Sequence, residues 1–254
     1  MHSRPWLWPN LLSLDAPIVA LLWQLLFVRC FHGSLGMLPA ALLAVAVWLI
    51  YVADRTLDAW RGSIEQPRHE FYRRHWRAVL PVWIAALGTG AWLAWSRLPG
   101  PLFIEGAAVA SGTGLYLAAV HMGLFRRANS KESAVAVLFG LGASLAAWPG
   151  VRTTSDVLAI LLFSGLCWMN CAAIDDWEHG HELRPPVMVA AGLVALIAAF
   201  LLRDHRPILG GAETAGAFGL VLLDRLRGRY SAEALRVLAD VVLLTPIVFL
   251  PIVT

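Results

Sequence analysis

Residues 36–54 read GMLPAALLAVAVWLIYVAD, and the last residue of this stretch is the only charged one. A hydrocarbon core about 30 Å thick needs about twenty apolar residues in a helix that rises about 1.5 Å per residue. The stretch therefore predicts a membrane-spanning segment near residues 36–54, in a helix that continues through the polar run at 51–61. Similar apolar stretches predict eight more spans, near 14–31, 79–97, 101–122, 133–149, 155–174, 185–202, 207–224 and 234–252.

The composition of the whole chain agrees with these spans. Of its 254 residues 59% are hydrophobic and 15% are charged, which is unlike a soluble protein. Between the apolar stretches no polar segment is long enough to build a second core. The sequence predicts one all-α membrane domain over residues 1–254, a bundle of about nine helices. The span at 207–224 is the weakest of them, because it contains Gly210, Gly211, Glu213, Gly216 and Gly219.

The distribution of charge predicts the orientation in the membrane. If the N-terminus is cytoplasmic, all but five of the 20 Lys and Arg residues fall on the cytoplasmic side, as the positive-inside rule requires. The C-terminus then lies outside, and a cell (inner) membrane is the expected location. Contacts with anionic lipid explain the net charge of +3, so no nucleic-acid partner is expected. All but four of the 17 acids also fall on the cytoplasmic side, namely all except Glu105, Asp156, Asp204 and Glu213.

Two of these acids follow the span at 36–54 directly. Asp54 and Asp58 are separated by one helical turn, so they share a helical face about 6 Å apart. Such a pair can bind a hard divalent cation, and Mg²⁺ commonly joins one or two carboxylates to the phosphates of a substrate. In the alternative interpretation, Arg55 and Arg61 simply neutralise the two acids at a solvated helix end.

A second acidic cluster ends the span at 155–174 and is expected at the same membrane face. Asp175 shares a helical face with Glu178, while Asp176 points elsewhere and Asn170 lies just over one turn earlier. This pattern also suits a hard metal ion. His179, His181 and Glu182 offer zinc ligands, but their spacing is weak for zinc, so solvated loop histidines are the expected alternative.

Basic residues accompany both clusters and are candidates for binding an anionic substrate. Arginine binds phosphate oxygens through paired charge-assisted bonds, and lysine acts as a compact point charge. The alternative is that most of these residues determine topology and contact lipid. The candidates for substrate binding are Arg61, Arg127 and Lys131.

This arrangement resembles the UbiA superfamily of intramembrane prenyltransferases, which have nine helices and Asp-rich motifs after helices two and six. Asp54-x-x-x-Asp58 matches the latter part of the family's first motif, whereas Ile50 and Tyr51 stand where that motif has Asn and its first Asp. Asp175, Asp176 and Glu178 look like a shortened second motif. Lys131, with the later Leu138-Phe-Gly140, is similar to the basic loop and glycine that enter helix five.

The resemblance implies the transfer of a prenyl group from an allylic diphosphate to a lipid-soluble acceptor. It implies Mg²⁺ held by Asp54, Asp58, Asp175 and Asp176, with Glu178 as a further ligand. Lys131 and Asn170 would bind the substrate. Tyr51 and Trp60 are candidates to stabilise a carbocation through their ring faces, although a membrane-interface belt is the usual role of such aromatics.

Two other functions remain open at this point. A non-enzymatic membrane protein could retain the bundle for transport, lipid binding or assembly of a complex, as the incomplete first motif suggests. A metal-ion carrier could use Glu105 and Glu213, because acids inside a span are functional candidates; the alternative is that both are polar groups in contacts between helices. Arg236 and Asp240, one turn apart in the last span, are expected to form an ion pair.

Overall fold

The computed structural model describes residues 8–60, 67–124, 130–180, 183–203 and 206–253. Within these ranges the chain is helical and contains no strand. Short 3-10 segments follow three of the helices, at Leu145–Gly150, Arg227–Arg229 and Leu250–Ile252. The α-helices are α1 (Trp8–Leu11), α2 (Asp15–Cys30), α3 (Met37–Trp60), α4 (Pro67–Arg97), α5 (Gly100–His121), α6 (Ser130–Ser144), α7 (Thr154–Glu178), α8 (Pro185–Leu201), α9 (Pro207–Leu226), α10 (Ala232–Val242) and α11 (Pro246–Phe249).

Six helical segments of the described chain are long and apolar enough to cross a membrane. They support a helical membrane protein, while the nine spans and the UbiA-like arrangement stay predictions. Of the other three predicted spans, α2 and α8 have 16 and 17 residues, which is short for a core about 30 Å thick. The third, α9, carries Glu213 and several glycines. The six segments are Met37–Trp60, Glu70–Arg97, Gly100–His121, Lys131–Gly150, Thr154–Glu178 and Ala232–Ile252.

The chain forms two compact units. Unit 1 consists of residues 1–21 and 36–124, and unit 2 consists of residues 22–35 and 125–254. The single domain over residues 1–254 stays a prediction.

In unit 1 a buried arginine fastens the end of α3 to the N-terminal segment. The Arg55 guanidinium donates to the Ser13 hydroxyl at 2.9 Å and to the Asn10 carbonyl oxygen, and it lies 3.5 Å from the Asp15 carboxylate. Tyr72 of α4 also bonds to Ser13, at 2.8 Å. Because a buried cation is stable only when its donors are satisfied, these bonds fix the rotation of α3 about its axis.

In unit 2 the core is built around α7. Phe163 is fully buried, and its ring stacks on Trp23 of α2 with centroids 4.3 Å apart. Helix α9 packs closely against α7, because a Cβ at Gly216 would come within 2.8 Å of the Leu166 side chain. Small residues of this kind let helix backbones approach where no water is available to drive association.

Candidate functional site

Asp54 and Asp58 lie in the last two turns of α3, as the sequence predicted. Both side chains are half-buried, and a carboxylate oxygen of each lies within 4.8 Å of the other. This separation follows from the i, i+4 spacing on one helical face. Two carboxylates so close can bind one cation jointly, since hard divalent ions take oxygen ligands from one or two acids at a time.

The structure adds His121, the last residue of α5, to this pair. Its Nε2 lies 3.4 Å from an Asp54 carboxylate oxygen, and its side chain is 9% exposed. Neither ring nitrogen has a hydrogen-bond partner among the residues that the structure describes. One ligand atom from each of Asp54, Asp58 and His121 lies within 4.8 Å of the other two. We call these three residues the α3–α5 cluster.

His121 is not among the residues predicted from the sequence, although the sequence contains a signal for it. The predicted span at 101–122 ends at the same membrane face as the span at 36–54, and a histidine stands at that end. Histidine is the commonest metal ligand among the side chains. A search for metal ligands at every helix end of the acidic face would have included it.

Electrostatics at the α3–α5 cluster favour a cation. The C-terminal end of a helix carries a partial negative charge, and both α3 and α5 end beside the cluster. The expected neutralisation by Arg55 is not observed, because its guanidinium is directed to Asp15, Ser13 and Asn10 instead. Arg61, the other expected neutralising residue and a predicted substrate ligand, lies outside the described residues.

Tyr51, a predicted substrate contact, lies one turn before Asp54 on α3. The Arg55 guanidinium lies over its ring, 5.7 Å from the ring centroid. A ring face that interacts with a cation in this way is the kind of surface that also stabilises a carbocation.

In unit 2 an arginine binds both aspartates of the second acidic cluster. Asp176 is buried at the end of α7, with Oδ1 2.6 Å from the Arg184 Nε and Oδ2 accepting the Arg184 backbone N–H at 3.0 Å. Asp175 is more exposed and lies 3.5 Å from the same guanidinium and 3.6 Å from the His179 ring. Arg184 therefore neutralises charge that the sequence analysis assigned to a metal ion. The role of Asp175 and Asp176 as metal ligands stays a prediction.

Two further predicted site residues contact α10. Glu178 of α7 pairs with Arg236, and the Asn170 amide donates to Asp240 at 3.3 Å. These contacts lie between helices, and the expected ion pair between Arg236 and Asp240 stays a prediction. Metal binding by Glu178 and substrate binding by Asn170 stay predictions.

The remaining candidates are scattered. Lys131 is exposed in the first turn of α6, and Arg127 lies outside the described residues. Glu105 is half-buried in α5, while Glu213 in α9 is fully buried with no hydrogen-bond partner for either oxygen among the described residues. The sequence analysis did not single out Asp224, which accepts bonds from the Trp177 indole and the Leu183 backbone at 3.0 and 3.3 Å.

Comparison of the chain with protein-family models, with curated proteins and with solved structures found no match. The likeness to the UbiA superfamily therefore stays a prediction that depends on the residues quoted for it.

Proposed function

We propose that the chain is a membrane prenyltransferase, which moves a prenyl group from an allylic diphosphate to a lipid-soluble acceptor. The observation that carries the proposal is the pair of carboxylates Asp54 and Asp58 at the end of an apolar helix of membrane length. A prenyl diphosphate has a polyanionic head and an apolar tail. It therefore suits a cation-binding site at the polar edge of a membrane.

The chemistry of the donor atoms fits a divalent metal ion. Asp54 and Asp58 would hold Mg²⁺, which in proteins commonly binds one or two carboxylates together with substrate phosphates. When bound, the ion neutralises the charge that develops on the leaving diphosphate. Lys131, exposed in the first turn of α6, is the proposed point charge for the diphosphate oxygens.

The proposed reaction exchanges one bond for another. The bond between the allylic carbon and the diphosphate oxygen breaks, and the diphosphate keeps the electron pair. The acceptor forms the new bond to that carbon and gives up a proton. The aromatic rings of Tyr51 and Trp60 would face the positive charge on the prenyl group, because ring faces attract cations. Trp60 is exposed and contacts Trp76 edge to face, with centroids 6.4 Å apart.

The second acidic cluster has a divided role in this proposal. Asp175 is the better candidate for a metal ligand, since 45% of its side chain is exposed. Asp176 is 3% exposed, and its two oxygens contact the guanidinium and the backbone N–H of Arg184. Its proposed role is to hold Arg184 and the end of α7 in place. Binding of a metal ion by Asp176 would require Arg184 to move.

Diphosphate release by the purified protein tests the proposal. The protein in lipid nanodiscs is mixed with radiolabelled geranyl, farnesyl or geranylgeranyl diphosphate and with aromatic and quinone-type lipid acceptors. We expect label in an acceptor product and release of diphosphate, both dependent on a divalent metal and both stopped by a chelator. Donor binding that needs no metal would count against the proposed mechanism.

A non-enzymatic role has one observation in its favour. Glu178 is paired with Arg236, and Asp176 is paired with Arg184, so the second cluster holds helices and a loop together as it stands. Such pairs suit a bundle that binds lipid or assembles with a partner. Retained lipid binding without turnover over the whole panel of donors and acceptors would favour this function.

A further inference from the structure

We infer that His121 is a third metal ligand beside Asp54 and Asp58, and that the α3–α5 cluster therefore prefers a first-row transition-metal ion such as Mn²⁺ to Mg²⁺. The inference rests on the proposed function for the interpretation of the two aspartates as metal ligands. The contribution of His121 comes from the structure alone.

The burial of His121 is the first argument. Its side chain is 91% buried, and Nε2 lies 3.4 Å from the Asp54 carboxylate, yet neither ring nitrogen makes a hydrogen bond in the described part of the chain. Burying a polar group without a hydrogen bond costs about 1–3 kcal/mol. A histidine with a purely structural role would be expected to bond a backbone carbonyl or a hydroxyl. An imidazole directed at two carboxylates instead points to an ion that all three groups bind.

The separations within the cluster are the second argument. Three ligand atoms that share one ion at about 2.1 Å lie about 3 to 3.6 Å apart. One nitrogen of His121 and one oxygen each of Asp54 and Asp58 already lie within 4.8 Å of one another. Closing around an ion therefore requires shifts of up to about 1 Å in the ligand atoms, which rotation of the half-buried side chains supplies.

Charge is the third argument. The two carboxylates bring negative charge, the C-terminal ends of α3 and α5 add partial negative charge, and Arg55 is directed away to Asp15. A divalent cation interacts favourably with the two carboxylates and with both helix ends. A divalent cation is therefore attracted to the cluster.

The nitrogen ligand decides which ion is preferred. Mg²⁺ takes oxygen ligands almost exclusively, whereas imidazole suits first-row transition metals. Mn²⁺ accepts carboxylate and imidazole together, and it can replace Mg²⁺ beside the oxygens of a diphosphate. A site with two oxygens and one nitrogen from the protein should bind Mn²⁺ more tightly than an oxygen-only site does, while its affinity for Mg²⁺ gains little.

Pulsed electron paramagnetic resonance of Mn²⁺ tests the inference directly. Full-length protein in detergent is loaded with Mn²⁺ below one equivalent, without any prenyl donor, and the echo modulation is examined for coupling to ¹⁴N. We expect ¹⁴N coupling in the wild type and in His75→Asn, a control at an exposed histidine of α4 that bonds within its own helix. We expect the coupling to be lost in His121→Asn. Absence of ¹⁴N coupling in the wild type, or its persistence in His121→Asn, overturns the inference.

A competition titration measures the metal preference. His121→Asn should weaken Mn²⁺ binding at least about 10-fold and change Mg²⁺ binding by no more than about 2-fold, in line with the effects of removing groups from metal sites. Equal weakening for both ions would mean that His121 only positions the aspartates, and the inference would be wrong. The wild-type spectrum decides even if the variant fails to fold. Both measurements omit substrate, so they do not depend on prenyl transfer. A protein that binds Mn²⁺ through His121 but transfers no prenyl group would contradict the proposed function and support this inference.

Discussion

Replacing Asp54 by asparagine is expected to slow metal-dependent diphosphate release by about 10²- to 10³-fold. The proposed function gives Asp54 a direct bond to the ion that offsets charge on the leaving group, and losing one group that stabilises transition-state charge typically costs that much. Asp54 also lies 3.4 Å from His121, so the change affects two members of the α3–α5 cluster. The rate of release with saturating donor and metal is the quantity to measure.

Loss of activity in this variant should not come from loss of the fold. Asparagine has the same shape and removes one of two neighbouring charges, so the unfolding temperature should stay within a few degrees of the wild-type value. Glu70→Gln, at the start of α4 in the same unit, is the matched neutralising control and should keep its rate within about 2-fold. A variant Asp54→Asn with more than half of the wild-type rate would remove the first acidic pair from the proposed mechanism.

The largest effect on stability is expected from Arg206→Gln in unit 2. Asp156, in the first turn of α7, is fully buried and accepts the Arg206 Nε–H at 2.6 Å. Its other carboxylate oxygen accepts the backbone N–H groups of Arg152 and Thr153, each at 2.8 Å. The substitution leaves a buried carboxylate without its cation, which should cost about 3 kcal/mol in the free energy of unfolding.

Thermal unfolding in detergent, without added substrate, measures this effect. A loss of about 3 kcal/mol corresponds to a fall of about 6–12 °C in the unfolding temperature for a chain of this size. Arg203→Gln is the matched control, because the guanidinium of Arg203 is exposed over the Phe200 ring and should contribute less than about 1 kcal/mol. If Asp156→Asn combined with Arg206→Gln recovers part of the loss, the two groups are coupled. Equal unfolding temperatures for the two single arginine variants would refute the proposed importance of this pair.

The sequence predicted where apolar helices lie better than where helices end. The stretch at 36–54 belongs to α3, which continues to Trp60, and the stretch at 79–97 belongs to α4, which begins at Pro67. Hydropathy marks the part of a helix that lipid can cover, whereas a helix continues for as long as its backbone hydrogen bonds do. Apolar length therefore leaves out the polar turns at these helix ends. The spacing of Asp54 and Asp58 indicated those of α3, whereas nothing in the hydropathy indicated the first turns of α4.

Within the candidate sites, the sequence determined which residues share a helical face and the structure determined what they meet. The spacing of Asp54 and Asp58 places them together because an α-helix has about 3.6 residues per turn. That His121 joins them, that Arg184 binds Asp176 and that Arg236 pairs with Glu178 depend on contacts between segments far apart in the chain. Helical periodicity is a local property. Which residues contact a given helical face depends on burial and packing over the whole unit, so only the tertiary structure shows those contacts.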